Sequence, residues 1–309
     1  MMTALVSGHR GFVGRHMKAA LEDRGYHVLG VDLVDGHDAR TFFRLDDRHY
    51  DLVVHCAAVV GGRTMIDGEP LRLAVADLQL DAGLFEWAMR TRPGRIVAFS
   101  SSAAYPVWLQ EPHMRARLHE SQIAGPPDIA FGVPDATYGW VKLTLERLAA
   151  EANAEGIRTH VFRPFSGYGG DQADDYPFPA IVKRAIGHAK RDVADRALGI
   201  QPEQFNVWGH PGSARDWVHI DDVIGCVLAR IDADVIGPVN ICTGVATTFE
   251  QLATMALAAV GSRATRIVGD TTKPTGVFWR VGDPELMQQV YTPKVTLAEG
   301  IRRAVEELT

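Results

Sequence analysis

The sequence predicts an α/β fold: a doubly wound parallel sheet carrying a smaller α/β cap from the C-terminal half. Three observations predict it. Short β-branched runs alternate with longer helical patterns through the first half, a glycine-rich turn joins the first such pair, and the alternation breaks after residue 164. Strands separated by helices run parallel, because a chain that crosses over through a helix re-enters the sheet in the same direction.

In chain order, the candidate strands are 3–7 (TALVS), 27–31 (HVLGV), 51–55 (DLVVH), 95–100 (RIVAFS) and 158–163 (RTHVFR). The helical patterns between them cover 12–24, 70–91 and 138–155. Segments 104–136 and 164–176 are rich in proline, glycine and aromatic residues and read as loops. Later helices are expected at 177–190, 221–231, 247–260 and 296–308. The expected organisation is a first domain over residues 1–164, to which a stretch near 210–245 returns, and a cap drawn mainly from 165–309.

Composition bounds the function. With 309 residues and 46% hydrophobic content the chain can bury a large core. Its 32 basic and 38 acidic residues leave a net charge of −6, which offers no global attraction to nucleic acid. No run approaches the ~20 apolar residues of a membrane span, and MMTALVSGHRGF has neither the charged start nor the long apolar run of a signal peptide. Cys56, Cys226 and Cys242 cannot all pair and form no CxxC. A reducing, cytoplasmic setting is therefore expected. The twelve histidines show no HxxxH or HExxH spacing. Asp216, His219, Asp221 and Asp222 crowd one stretch, but Asp221 reads more simply as the N-cap of a helix over 222–231. No metal is expected. Trp140, Trp208 and Trp217 read as core or pocket walls.

Residues 3–14, TALVSGHRGFVG, run from an apolar strand through Gly8, Gly11 and Gly14 into a helix. The first glycine permits the tight turn, the second lets the backbone approach a pyrophosphate, and the third allows close helix–strand packing. The helix N-terminus then offers free N–H groups and a favourable dipole to phosphates. That is a Rossmann-like arrangement, against the plainer alternative of a tight βα turn. Asp32 follows the second strand, 18 residues after Gly14. A carboxylate there accepts hydrogen bonds from an adenosine ribose and repels a 2′-phosphate, which favours NAD over NADP. Asp38 and Ala39, in a short loop, are candidates for the adenine, with Asp46 and Asp47 as competitors.

Residues 138–142 read YGWVK, which sets Tyr138 and Lys142 on one helix face. The strand over 95–100 leads into Ser100, Ser101 and Ser102, at the carboxyl end where such sheets bind ligands. A phenol ionises near pH ~10 in water, and a neighbouring ammonium or a positive nicotinamide favours the ionised form. Tyr138 can then take a proton from a sugar hydroxyl as hydride leaves its carbon, with Ser101 bonded to the same oxygen and Lys142 holding the nicotinamide ribose.

GHRGFVG, Asp32, VVHCAA (53–58), AFSSSAAYP (98–106), YGWVK and RPFSGYG (163–169) together resemble the extended short-chain dehydrogenase/reductases, in their nucleotide-sugar epimerase/dehydratase branch. VWGHPGSARDWVHIDDV (207–223) and the stretch from Trp279 to Ile301 resemble that branch too. The resemblance implies that Phe12, Val13, Ala57, Ala58 and Pro164 join the glycines, Asp32, Tyr138 and Lys142 around NAD. It implies that Arg215 and Arg280 hold the diphosphate of a nucleotide sugar, that Asp283 contacts a ribose, and that Ser102 and Ser166 touch substrate. A guanidinium suits phosphate because its fork presents several donors and its charge does not titrate away. A homodimer packed through helices 70–91 and 138–155 is implied as well.

Departures from the family pattern narrow the reaction. Ser102 and Ala103 stand where 4,6-dehydratases carry Asp and Glu, and Ala103 also replaces the cysteine of the 3,5-epimerases and fucose synthases. Tyr176 stands where the 3,5-epimerase supplies a lysine base. The AAVVGG stretch (57–62) and the Tyr-Pro after the serines nevertheless lean toward GDP-sugar members. Asp77 and Ser166 replace two asparagines usual in the branch. What remains is 4-epimerase chemistry. A 4-ketosugar reductase or sugar 4-dehydrogenase is the alternative, and an NAD-binding regulatory protein is the non-enzyme reading.

Overall fold

The computed structural model describes residues 1–309 except 60, 62, 124–131, 202, 263, 265 and 274, with the backbone alone at 194–196. Part of the expected loop over 104–136 and two residues of AAVVGG thus lie outside the described residues.

The first half builds β1 (Thr3–Ser7), α1 (Phe12–Asp23), β2 (His27–Val31), α2 (Ala39–Leu45), β3 (Leu52–His55), α3 (Arg63–Gly68), α4 (Pro70–Thr91), β4 (Ile96–Phe99), α5 (Ala136–Ala154) and β5 (Thr159–Pro164). There follow β6 (Ser166–Tyr168), α6 (Pro177–Ala197), β7 (Phe205–Trp208), β8 (Ala214–Arg215), β9 (Trp217–His219), α7 (Ile220–Asp232) and β10 (Val239–Ile241). The chain closes with β11 (Thr247–Thr248), α8 (Phe249–Ala259), β12 (Ile267–Asp270), β13 (Trp279–Arg280), α9 (Glu285–Gln288) and α10 (Leu297–Leu308).

Six strands form one parallel sheet in the order β10-β5-β4-β3-β1-β2. Apart from the edge strand β2, its strands are buried on both faces, so neighbouring residues pack into different cores. Ala4 and Val6 join Met17 and Leu21 of α1 and Val223 and Val227 of α7. Leu5 and Val53 face the other way, onto Phe43, Leu84 and Trp87. The strand order reverses between β1 and β3, which opens a crevice at their carboxyl ends.

Helix ends follow local chemistry. α4 starts on Pro70 and stops where Arg92 turns to φ +46. α7 is capped by the His219 imidazole, whose Nδ1 accepts the Asp221 N–H at 3.2 Å, so Asp221 lies in the first turn and is not the N-cap. Where the sequence suggests a short loop, Asp38 caps α2 through the Arg40 N–H. A seven-residue helix carries too little periodicity to stand out, and burial of Phe43 against Trp87 is what holds it. β10 is legible only from its pairing, Val239 opposite Phe162.

Around α6, α8 and α10 a separate core gathers Phe178, Val182, Leu252 and Ile301. Small sheets β11-β8-β13 and β12-β7 lie in this half. Asp216, between β8 and β9, is buried and accepts N–H bonds from Thr243, Gly244 and Gly282, plus the Thr243 hydroxyl. It is a tie between segments. No described helix is long and apolar enough to cross a membrane.

Candidate active site

At the crevice, Gly8 turns at φ +71, and a Cβ there would lie 2.6 Å from the Ala57 nitrogen. A Cβ on Gly14 would lie 2.0 Å from the Gly8 carbonyl oxygen, so the loop can lie flat on the helix only with glycine. Gly11 is the N-cap of α1 and contributes no side-chain acceptor, which leaves the first N–H groups of a twelve-residue helix facing the cavity. The Gly8 N–H donates to Val31 O at 2.8 Å and ties the loop to the end of β2. There the Asp32 carboxylate accepts the Arg10 N–H on Oδ2 and the Val34 N–H on Oδ1, each at 2.9 Å. Two backbone donors aim it, and it lines the cavity with Phe12, Val13, Asp38, Ala39, Ala57 and Ala58. The Arg40 guanidinium beside Asp38 holds that carboxyl below the usual carboxylate range. A glycine cradle, an uncapped helix N-terminus and an oriented carboxylate fit a dinucleotide.

The cavity, of about 760 Å3, continues past Ser101, Tyr138, Lys142 and Pro164. Ser101 follows β4 and caps a short helical turn over Ser102–Ala104, its Oγ accepting the Ala103 N–H at 3.1 Å. The hydroxyl proton therefore remains available to a ligand oxygen. The start of α5 presses on this turn. A Cβ on Gly139 would lie 2.4 Å from Ala103 O, and the Asp135 N–H donates to the same oxygen at 2.9 Å. The glycine of YGWVK thus sets the approach of Tyr138 to Ser101. Ala136 makes this junction at φ +57, a conformation that alanine adopts only under constraint.

The Lys142 Nζ lies 5.5 Å from the Tyr138 ring centroid. Lys142 is buried, while Tyr138 is half-buried at the cavity wall. Burial opposes the ammonium charge, but Tyr138 and the Asp81 and Asp77 carboxylates outweigh it and push the Lys142 pKa up. Asp77 is itself buried. Its Oδ1 accepts the Val59 N–H at 2.6 Å, and burial pushes its carboxyl pKa up. Asp81 lies one turn along α4 and meets His55 Nε2 at 3.2 Å, and His55 Nδ1 meets Ser7 Oγ at 2.7 Å. Sequence reasoning named Asp77 but did not find this buried chain, whose members come from one helix, α4, and two strands, β1 and β3.

The far end of the cavity holds cations. Arg215 packs on Phe249, 5.3 Å from the ring centroid, and donates to Ala214 O at 2.8 Å. Among the described residues it has no carboxylate partner. Burial and then the Arg280 charge push its pKa down, with Asp135 offsetting part of this and Arg63 adding to it. Arg280 Nη2 donates to Asp135 Oδ2 at 2.7 Å and its Nε to Gln110 Oε1 at 2.6 Å. Arg63, from α3, meets both Asp135 oxygens at 2.8 and 2.9 Å. Sequence reasoning did not single out Arg63, Gln110 or Asp135, although Arg63 directly follows AAVVGG, Gln110 lies four residues after AFSSSAAYP and Asp135 lies three residues before Tyr138.

Ser102 and Ser166 line the cavity; Asp283 does not. Its Oδ1 instead accepts the Glu285 N–H at 3.0 Å at the start of α9. Trp208 and Trp217 are cavity walls, but Trp140 lies on the outer face of α5, 49% exposed, because helix periodicity turns it away from Tyr138. Among the described residues no group of three His, Cys, Asp or Glu side chains could hold a metal, and the three cysteines are free thiols.

Residues 4–242 match the model of the NAD dependent epimerase/dehydratase family, and the chain belongs to that family. It is 26% identical over 312 residues to a putative GDP-L-fucose synthase 2 of Arabidopsis thaliana, covering 97% of this chain and 90% of the relative. A dTDP-4-dehydro-6-deoxy-D-allose reductase of a Streptomyces species is 24% identical over 314 residues, covering 93% and 90%. The UDP-glucose 4-epimerase of Thermus thermophilus, solved with NAD, superposes with a TM-score of 0.76 at 21% identity, covering 99% of this chain and 98% of that one. The cofactor of the family is NAD, and its members are nucleotide-sugar epimerases, dehydratases and reductases.

Proposed function

We propose that the chain is a nucleotide-sugar 4-epimerase. The observation that carries this reading is the content of one cavity. Ser101, Tyr138 and Lys142 line it together with Arg215, which has no carboxylate bonded to it among the described residues, and with Ser102 and Ala103, which stand where a dehydratase or 3,5-epimerase needs acid–base groups. Tyr138 Oη takes the proton of the C4 hydroxyl, Ser101 Oγ donates to the same oxygen, and the Lys142 ammonium stands 5.5 Å from the Tyr138 ring centroid. NAD, when bound, supplies the hydride acceptor. Arg215 and Arg280 grip the diphosphate, which leaves the keto sugar tethered at one end and free to present its other face. The oriented Asp32 disfavours a 2′-phosphate and so favours retained NAD over exchange with an NADPH pool.

The test is turnover of UDP- and GDP-hexoses in deuterium oxide without added cofactor. The expected product is inverted at C4 with no deuterium on any sugar carbon, since hydride is not labelled by solvent. Deuterium at C3 or C5 overturns the choice of reaction. A second reading, a 4-ketosugar reductase, is favoured by the named activity of the Streptomyces relative, a dTDP-4-dehydro-6-deoxy-D-allose reductase. It requires stoichiometric NADH and yields purified protein without bound NAD. We also propose a homodimer through α4 and α5. Leu71, Val75 and Leu78 on α4 share one exposed face, 75%, 47% and 38% accessible. Light scattering of Val75→Asp against the unaltered chain tests it, and an unchanged mass overturns it.

A further inference from the structure

We propose that Arg63 is a third phosphate-binding group of this cavity and that Asp135 is its exchange partner, an internal anion displaced from Arg63 and Arg280 when a diphosphate enters. The proposal rests on the nucleotide-sugar reading above.

The geometry points to it in three ways. First, the guanidinium groups converge. A Cβ built on Gly276 would lie 3.6 Å from both Arg215 Nη2 and Arg63 Nη1, so those two nitrogens are no more than about 7 Å apart. Arg63 and Arg280 meet on the same carboxylate. Arg63 belongs to α3, which follows β3 of the six-stranded sheet and packs on α4 and α5, whereas Arg215 and Arg280 lie on β8 and β13. A ligand phosphate held by all three would link the two halves of the chain.

Second, the charges do not close. Three guanidinium groups face the buried Asp135, and the other carboxylate on Arg63 is Asp67 at 2.8 Å, which stands 43% exposed at the rim. With both carboxylates ionised one positive charge remains, and Arg215 has neither of them as a partner. Burial opposes the Asp135 charge, but Arg280 and Arg63 outweigh it and hold the carboxyl low. A diphosphate diester brings two negative charges to this place. It offers Arg63 and Arg280 the same bidentate geometry as a carboxylate, and it reaches Arg215 as well.

Third, Asp135 has somewhere to go. It occupies the N-cap position of α5 but makes no side-chain cap bond, because its carboxylate is drawn to the arginines. Once released, it lies beside the unsatisfied N–H groups of the helix that carries Tyr138. Filling the diphosphate site is thereby connected, through one side chain, to the start of the catalytic helix.

The experiment is calorimetric titration of the NAD-loaded protein with GDP, UDP and the matching nucleosides, at two salt concentrations. It compares the unaltered chain with Arg63→Gln, Asp135→Asn and Arg215→Ala. Arg63→Gln is expected to weaken the preferred diphosphate about 10-fold or more, flatten its salt dependence and leave the nucleoside and NAD unchanged. Asp135→Asn is expected to tighten the diphosphate several-fold, because a neutral amide still accepts from the arginines but no longer competes as an anion. If Asp135→Asn weakens binding as Arg63→Gln does, Asp135 is only a scaffold and the exchange is overturned. If Arg215→Ala weakens the diphosphate while Arg63→Gln does not, Arg63 is overturned and the nucleotide-sugar reading stands. If neither diphosphate binds the unaltered chain, that reading fails and takes this proposal with it.

Discussion

The two ends of the cavity are built in opposite ways. At the glycine-loop end the geometry is set by the backbone: Gly8, Gly11 and Gly14 clear space, α1 presents its N–H groups, and Asp32 is oriented by two main-chain donors. At the other end it falls to side chains from α3, the start of α5, β8 and β13, gathered around Asp135. Backbone recognition needs a contiguous segment, so it leaves a contiguous trace in the sequence. A cluster of long side chains needs only that their Cα atoms lie within reach after folding, and leaves none.

The sharpest break in this comparison lies between the ends. Tyr138→Phe is expected to leave folding and NAD binding intact and to remove at least ~10²-fold of turnover, the scale of a lost general acid–base group. Ser101→Ala is expected to cost less, since it removes orientation and not the base. Steady-state rates on the true substrate check both, and near-normal activity of Tyr138→Phe displaces Tyr138 from its role.

At the arginine end, Arg215→Ala is expected to weaken nucleoside diphosphate binding ~10–150-fold, from a charge-assisted bond of ~1.5–3 kcal/mol. NAD affinity should not change. Titration with both ligands checks that the ends are independent, and equal losses would show that they are not.

At the cofactor end, the unaltered chain is expected to bind NAD at least ~10-fold more tightly than NADP, a difference of ~1.4 kcal/mol. Asp32→Ala should narrow the gap. Equal affinities in the unaltered chain would remove Asp32 from the ribose.

The smallest effect is expected at Asp283. Its carboxylate holds a turn and lies off the cavity wall, so Asp283→Ala should cost ~0.5–1.5 kcal/mol of stability as a lost turn hydrogen bond. Nucleotide affinity should stay within about twofold. Thermal melts and titration separate the two outcomes, and a tenfold affinity loss would return Asp283 to the ribose.

By itself, the sequence determined the alternating strands and helices, the parallel sheet, the glycine loop with Asp32, and the pairing of Tyr138 with Lys142. All are patterns of short period, set by residues within one or two turns or one βα unit of each other. Even there, the short α2 after Asp38 has no pattern of its own, because seven residues hold a helix only when Phe43 finds Trp87. Tertiary structure alone decided that Gly139 and Asp135 press on the turn carrying Ser101. It alone decided that Asp77, Asp81 and His55 stand beneath Lys142, and that Arg63 meets Arg280 on one carboxylate. Asp283 shows the converse, since it sits in a recognisable motif and yet spends its carboxylate on a local N–H. The physical reason is the same throughout. A bond between neighbours is encoded by spacing, whereas a bond across 72 or 145 positions exists only when the packed sheet and cap bring its two ends together.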